Sequence, residues 1–168
     1  MHPTRTRAIL SGVALLTATL LGAVPTPANA ATASGCFLDA RTGAHTGFDR
    51  LVFDISGSTA DYLPGLVATE ANTTGIFAFE DGKDHTAAIP GKNYLYLTFA
   101  GCIYDPVTGQ VTYTTPNPEA ISLPSLKGVE RYGADGVYEG FILSLGDYST
   151  YKVSTLTAPD RFIIDIYH

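Results

Sequence analysis

Two short stretches of this chain carry the same reactive groups in the same order. Asp49-Arg50-Leu51-Val52-Phe53-Asp54-Ile55 and Asp160-Arg161-Phe162-Ile163-Ile164-Asp165-Ile166 each read acid, arginine, three apolar residues, acid, isoleucine. A guanidinium grips a carboxylate through two parallel hydrogen bonds, so Arg50 and Arg161 are candidate donors toward a sugar or a carboxylate ligand. The same residues allow a structural reading. Each arginine then pairs across a sheet with an acid of the other repeat, Arg50 with Asp165 and Arg161 with Asp54, and fixes strand register. Asp49 and Asp160, which open the two repeats, belong to that structural reading.

Phenols are the second candidate. The chain has ten tyrosines and no tryptophan. Tyr94 and Tyr96 alternate with Leu95, Leu97 and Phe99. One strand face is thus apolar and the other phenolic, and the phenols form a flat platform for sugar rings with hydroxyls left to hydrogen-bond. Tyr104, Tyr113 and Tyr138 extend it. The competing expectation is that this face packs under a loop or another sheet, the commoner fate of large aromatics.

Catalysis and metal chemistry find little to work with. His45, His85 and His168 show no HExxH pattern and no metal-ligand spacing, and there is no Gly-x-Ser-x-Gly elbow. The chain is therefore read as non-catalytic, with no cofactor and no metal site. Glu80, Asp81, Asp84 and His85 offer oxygen ligands to calcium but match no EF-hand, and are read as a solvated turn. Asn72-Thr73-Thr74 fits a glycosylation acceptor and is read as a polar turn.

The elements that must position these groups are strands. Leu51, Phe53 and Ile55 share one face of the first repeat while Val52 and Asp54 share the other. Further strands are predicted over Tyr62–Thr69, demoted to an edge or a bulge by Pro64, and over Ile76–Glu80, Tyr94–Tyr104 and Val111–Thr115. Leu123–Tyr132 and Val137–Leu145 pair as a hairpin across a Gly-Ala-Asp-Gly turn, and Tyr151–Leu156 precedes the closing repeat. No segment after residue 30 combines length with a helical period. The fold class is all-β, a small β-sandwich with few or short helices.

Arg5 and Arg7, the apolar run Ala8–Val24 and the small residues ending at Ala30 have the order of a secretory signal peptide over residues 1–30. Export is expected, with no stable membrane insertion after cleavage. Residues 31–40 are read as an N-terminal segment and 41–168 as one domain. Beyond residue 30 there remain eight lysines and arginines against sixteen acids, a formal charge of −8. That balance argues against nucleic acid and against electrostatic docking on anionic lipid or teichoic acid. Cys36 and Cys102 read as one disulfide in an exported protein; lipidation of Cys36 after Ala33-Ser34-Gly35 is the alternative.

Gly47–Asp54, Thr112–Pro116, Tyr138-Glu139-Gly140, Tyr151–Leu156 and Pro159–Asp165, in this order and spacing, resemble the AMIN-like domain of secreted actinobacterial proteins, over about residues 41 to 168. The chain departs from that pattern at Thr115, where a glycine is usual, and in carrying the cysteine pair. The resemblance implies a small β-sandwich related to the AMIN domains of N-acetylmuramoyl-L-alanine amidases and of secretin-type envelope proteins. Those domains direct their owners to the cell wall, often by contact with peptidoglycan. The expectation is a secreted, envelope-associated, non-catalytic domain that binds peptidoglycan or another wall glycan. Its arginines would face a muramyl lactyl group or a peptide carboxylate. A module that captures an envelope protein through an exposed strand edge is the alternative.

Overall fold

Alternation of apolar and polar residues builds eleven strands in the computed structural model, which describes residues 35–57, 65–79, 82–105, 108–133, 138–148 and 150–168. They are β1 (Phe37–His45), β2 (Phe48–Ile55), β3 (Gly65–Asn72), β4 (Ile76–Ala78), β5 (Asp84–Thr86), β6 (Asn93–Ala100), β7 (Glu119–Ala120), β8 (Leu126–Arg131), β9 (Tyr138–Leu145), β10 (Tyr151–Leu156) and β11 (Arg161–Tyr167). No helix occurs among the described residues. One sheet has the order β1-β2-β11-β10, a second the order β3-β6-β9-β8-β7, and β4 and β5 form a separate ribbon.

The two larger sheets pack face to face. Leu51, Phe53 and Ile55 of β2 and Phe162, Ile164 and Ile166 of β11 meet Leu95, Leu97 and Phe99 of β6 and Phe141, Leu143 and Leu145 of β9 in one core. Aromatic rings close the layer: Phe53 and Phe141 lie 4.4 Å apart and Phe99 and Phe162 4.5 Å, in tilted contact across the sheets. The all-β sandwich follows from this packing.

The repeats sit in the middle of the four-stranded sheet as antiparallel neighbours, with Phe53 opposite Phe162 and Val52 opposite Ile163. Strand β1 flanks β2 on one side and β10 flanks β11 on the other. Strand β1 was not legible as a strand, and it crosses the boundary expected between residues 40 and 41. Only Phe37 of its side chains is fully buried, so its apolar signal is weak. Elsewhere strand ends shift. The expected Tyr94–Tyr104 strand stops at Ala100, and Val111–Thr115 is irregular chain. That chain nonetheless binds β1, with the Thr114 N–H donating to Leu38 O and the Thr112 hydroxyl to Phe37 O. The expected strand over Tyr62–Thr69 runs instead from Gly65 to Asn72. Pro64, the signal segment, the turn at residues 58–61, Pro106 with Val107, and the turn at residues 134–136 lie outside the described residues.

Cys36 and Cys102 form a disulfide that joins the start of β1 to the chain leaving β6. The Phe37 N–H donates to Cys102 O beside it, at 2.7 Å. Thr115, where a glycine was expected by resemblance, donates its hydroxyl to Asp39 Oδ1 at 2.5 Å and accepts the Ala40 N–H at 2.7 Å. Strand β1 is thus held from both sides.

Candidate functional site

The outward face of the four-stranded sheet collects half of the basic residues that follow residue 30. Directly paired residues share a face, and the register sets Arg50 opposite Asp165, Arg161 opposite Asp54 and Val52 opposite Ile163. Strand β1 places Arg41 opposite Val52, and β10 places Lys152 opposite Asp165. Arg41, Arg50, Lys152 and Arg161 are half of the eight basic residues beyond residue 30. Asp39, Asp54 and Asp165 accompany them, Asp39 standing opposite Asp54 in the register. In an acidic chain this face therefore carries a small excess of positive charge.

The two arginines of the repeats are held differently. Arg50 clamps Asp165 with two hydrogen bonds, Nε to Oδ1 at 2.7 Å and Nη2 to Oδ2 at 2.8 Å. Asp54 is clamped the same way, but by Arg41 of β1, at 2.6 and 2.7 Å. Both oxygens of Asp54 are thereby engaged. Arg161 is left with its Nε 3.7 Å from Asp54 Oδ1, and that buried Nε has no hydrogen-bond partner. Electrostatics follow the same order. The hydrogen bonds from Arg41 pull the Asp54 carboxyl below its usual range against the opposing effect of burial, and the charge of Arg161 contributes least. Arg41 and Arg50 are each raised, foremost by their hydrogen bonds to Asp54 and Asp165.

Aromatic rings close one end of this face. His45, Phe48 and Tyr167 align across β1, β2 and β11. The His45 ring stacks on Phe48 at 4.7 Å, Tyr167 lies 5.8 Å from Phe48, and the Arg50 guanidinium sits 5.1 Å from the Phe48 centroid. Tyr167 and His45 are exposed. Sequence reasoning named neither Arg41 nor this aromatic end. The dipeptide repeat was visible, but the strand that supplies Arg41 and His45 was not.

The tyrosine platform takes another form. The β4–β5 ribbon lies over that face of the five-stranded sheet, and Phe77, Tyr94 and Ile142 make a second small core with Phe79, Tyr96 and Tyr132 against it. Tyr94 is only 8% exposed, and its hydroxyl accepts the Gly91 N–H at 2.7 Å. Tyr96 lies 5.5 Å from Phe77 and 5.3 Å from Phe79. At Gly140 beneath it, an added Cβ would collide with the Tyr96 hydroxyl and the Tyr132 carbonyl. The open platform expected on Tyr94 and Tyr96 is thus covered, as large aromatics usually are. Tyr113 is a core residue whose phenol burial pushes up to about 12, while Tyr104 and Tyr138 are exposed.

The remaining candidates resolve into supports. Asp49 is fully buried on the core side, where Oδ2 accepts the N–H groups of Ser125 and Leu126. Asp160 stands in the turn before β11, its carbonyl accepting the Ile55 N–H at 3.0 Å. His85 meets buried Glu130 at 2.8 Å and stacks on Tyr132, pinning the ribbon to β8. Glu80 and Asp81 of the suggested calcium turn lie outside the described residues, and no group of three or more potential metal ligands occurs among the described ones. Asn72 closes its own turn by accepting the Thr74 and Gly75 N–H groups.

Ser125 Oγ lies 2.8 Å from His168 Nδ1, but Ser125 is buried and Asp49 holds its backbone rather than the imidazole. Asp49 therefore does not serve as the third group that would orient the base. A cleft of about 550 Å³ at the end of the sandwich is lined by Lys92, Pro124, Lys127, Asp147 and Tyr148. Its lysines are already engaged, Lys92 with Asp147 and Lys127 with the Leu123 carbonyl. Among the described residues no helix is long and apolar enough to cross a membrane.

The profile of the family described as AMIN-like domain matches residues 36–168, taking in β1 and the whole sandwich. No curated protein and no solved structure matches the chain.

Proposed function

The chain belongs to the AMIN-like family, whose domains are cell-wall-associated and generally non-catalytic, and on that premise we propose that it is a non-catalytic module binding peptidoglycan through the outward face of the four-stranded sheet. The observation that carries this reading is the concentration of Arg41, Arg50, Lys152 and Arg161 on one face of an otherwise acidic chain. His45, Phe48 and Tyr167 offer ring surfaces against which a sugar can stack, and the arginines offer donors to its acidic substituents. An exported, envelope-associated location accords with such a role. Tyr94 supports the sheet from the opposite side and contacts no ligand in this reading.

Sedimentation of the purified protein with insoluble sacculi, with and without attached wall polymers, tests the proposal. Saturable pelleting that survives removal of the polymers is expected, and Phe48→Ala together with Tyr167→Ala should weaken it. Pelleting unchanged by the pair of substitutions would move the site away from this face.

A second reading rests on β3. This terminal strand of the five-stranded sheet is exposed along nearly its whole length, with Leu66 and Val67 open to solvent. Such an edge can capture an extended segment of an envelope protein by adding a strand. Val67→Lys should abolish capture of that kind and leave sacculus binding intact.

A further inference from the structure

Arg161 is unlike every other arginine of the outward face. Arg50 spends its fork on Asp165, and Arg41 spends its fork on Asp54. The acid that stands opposite Arg161 in the register has thus been taken by a third strand. Arg161 keeps a guanidinium whose Nε is buried and lacks a hydrogen-bond partner, with its side chain about one-third open to solvent at 31%. Nε is shielded from solvent, so the rest of the head is what a ligand meets, and a planar guanidinium is satisfied best by an oxyanion that accepts two hydrogen bonds, here from the two Nη groups. The stem of Arg161 lies on the sheet between Asp54 and Leu156, its register partners on β2 and β10. Its head is therefore presented outward from a rigid strand rather than from a loop, as a preorganised site requires.

We propose that Arg161 is the carboxylate-binding residue of this face, kept available because Arg41 occupies Asp54. The inference rests on the reading that the face binds peptidoglycan, and it names the group recognised: a carboxylate of the glycan's lactyl or peptide substituents. Arg41 acts as a positioning residue. It does not meet the ligand, and its hold on Asp54 prevents that acid from closing on Arg161. Arg50 cannot serve in the same way, because Asp165 already fills its fork.

Three kinds of sacculi separate the outcomes: untreated, stripped of phosphodiester polymers, and with carboxyl groups converted to neutral amides. Arg161→Ala should weaken binding to untreated sacculi by roughly tenfold to a hundredfold, with Arg161→Lys intermediate. Amidated sacculi should bind the wild-type protein as weakly as Arg161→Ala binds untreated ones, and the variant should not respond to amidation. Arg41→Ala should also weaken binding, because Asp54 then turns to Arg161. Asp54→Ala should tighten it, and Lys83→Ala on the opposite side should leave it unchanged. Equal binding by Arg161→Ala and wild type, or tighter binding by Arg41→Ala, overturns the proposal. Loss on stripped rather than amidated sacculi assigns the face to phosphate and overturns it as well.

Should the protein pellet with no sacculus preparation, the premise fails by itself, and the Arg161 assignment is then decided by NMR. The Arg161 side-chain Nε–H resonance should move on titration with N-acetylmuramic acid and stay fixed with neutral N-acetylglucosamine. No movement with either sugar refutes the assignment.

Discussion

The two halves of the internal repeat occupy equivalent places on adjacent strands, yet one is closed on itself and the other is not. Arg50 and Asp165 form a complete clamp, whereas Arg161 keeps only a 3.7 Å ion-pair contact with Asp54, whose fork partner is Arg41 of β1. Strand β11 has no such competitor, because the strand beyond it contributes Lys152 rather than an acid or a second arginine fork. Identical dipeptides therefore acquire different roles from their outer neighbours. A motif in a sheet has to be read with the strand on each side of it.

The comparison breaks most severely if β1 is released. Replacing Cys36 and Cys102 together by serine should lower stability by about 4 kcal/mol in the chain-entropy model, read as a fall in the urea midpoint. With β1 loosened, the double variant should also lose part of the carboxylate selectivity assigned to Arg161. Next in size, Arg50→Ala leaves the Asp165 side chain, 11% exposed, without its clamp. A loss of about 1–3 kcal/mol is expected, while Arg161→Ala should stay within about 0.5 kcal/mol. Equal effects at the two positions would show that the halves are energetically alike.

The smallest effect is in acid. Asp54 is held below its ordinary pKa of 3.8, foremost by the hydrogen bonds from Arg41. A lowered folded-state pKa means that the stabilisation is complete above the unfolded value and disappears as pH falls through the folded one. Wild type should accordingly lose a few tenths of a kcal/mol below about pH 3.8, discounted for the exposure of Arg41. Asp54→Asn should flatten that part of the stability profile in chemical denaturation.

How far this was legible in the sequence follows from the physics of each element. The repeats announced two half-buried strands, and their acids and arginines implied the antiparallel register in which β2 and β11 pair. Strong alternation likewise marked β6 and β9. Period two tells that a strand has two faces; it does not tell which face a distant ribbon will cover. Tyr94 was ambiguous for that reason, since the β4–β5 ribbon that covers it comes from weakly patterned chain. Strand β1 escaped because an edge strand with polar and small residues on both faces has little apolar periodicity to read. With it went Arg41, and so the difference between the two arginines.

The bond between Cys36 and Cys102 also has a topological meaning. It closes a covalent ring over a sequence separation of 66, which encloses β1 through β6 and leaves β7 through β11 on an open tail. A single backbone cut inside the ring yields a molecule that is still one covalent piece. A cut between Cys102 and Arg161 severs the covalent tie of β11 to the ring and leaves the guanidinium on which the proposed recognition depends held by sheet pairing and packing alone.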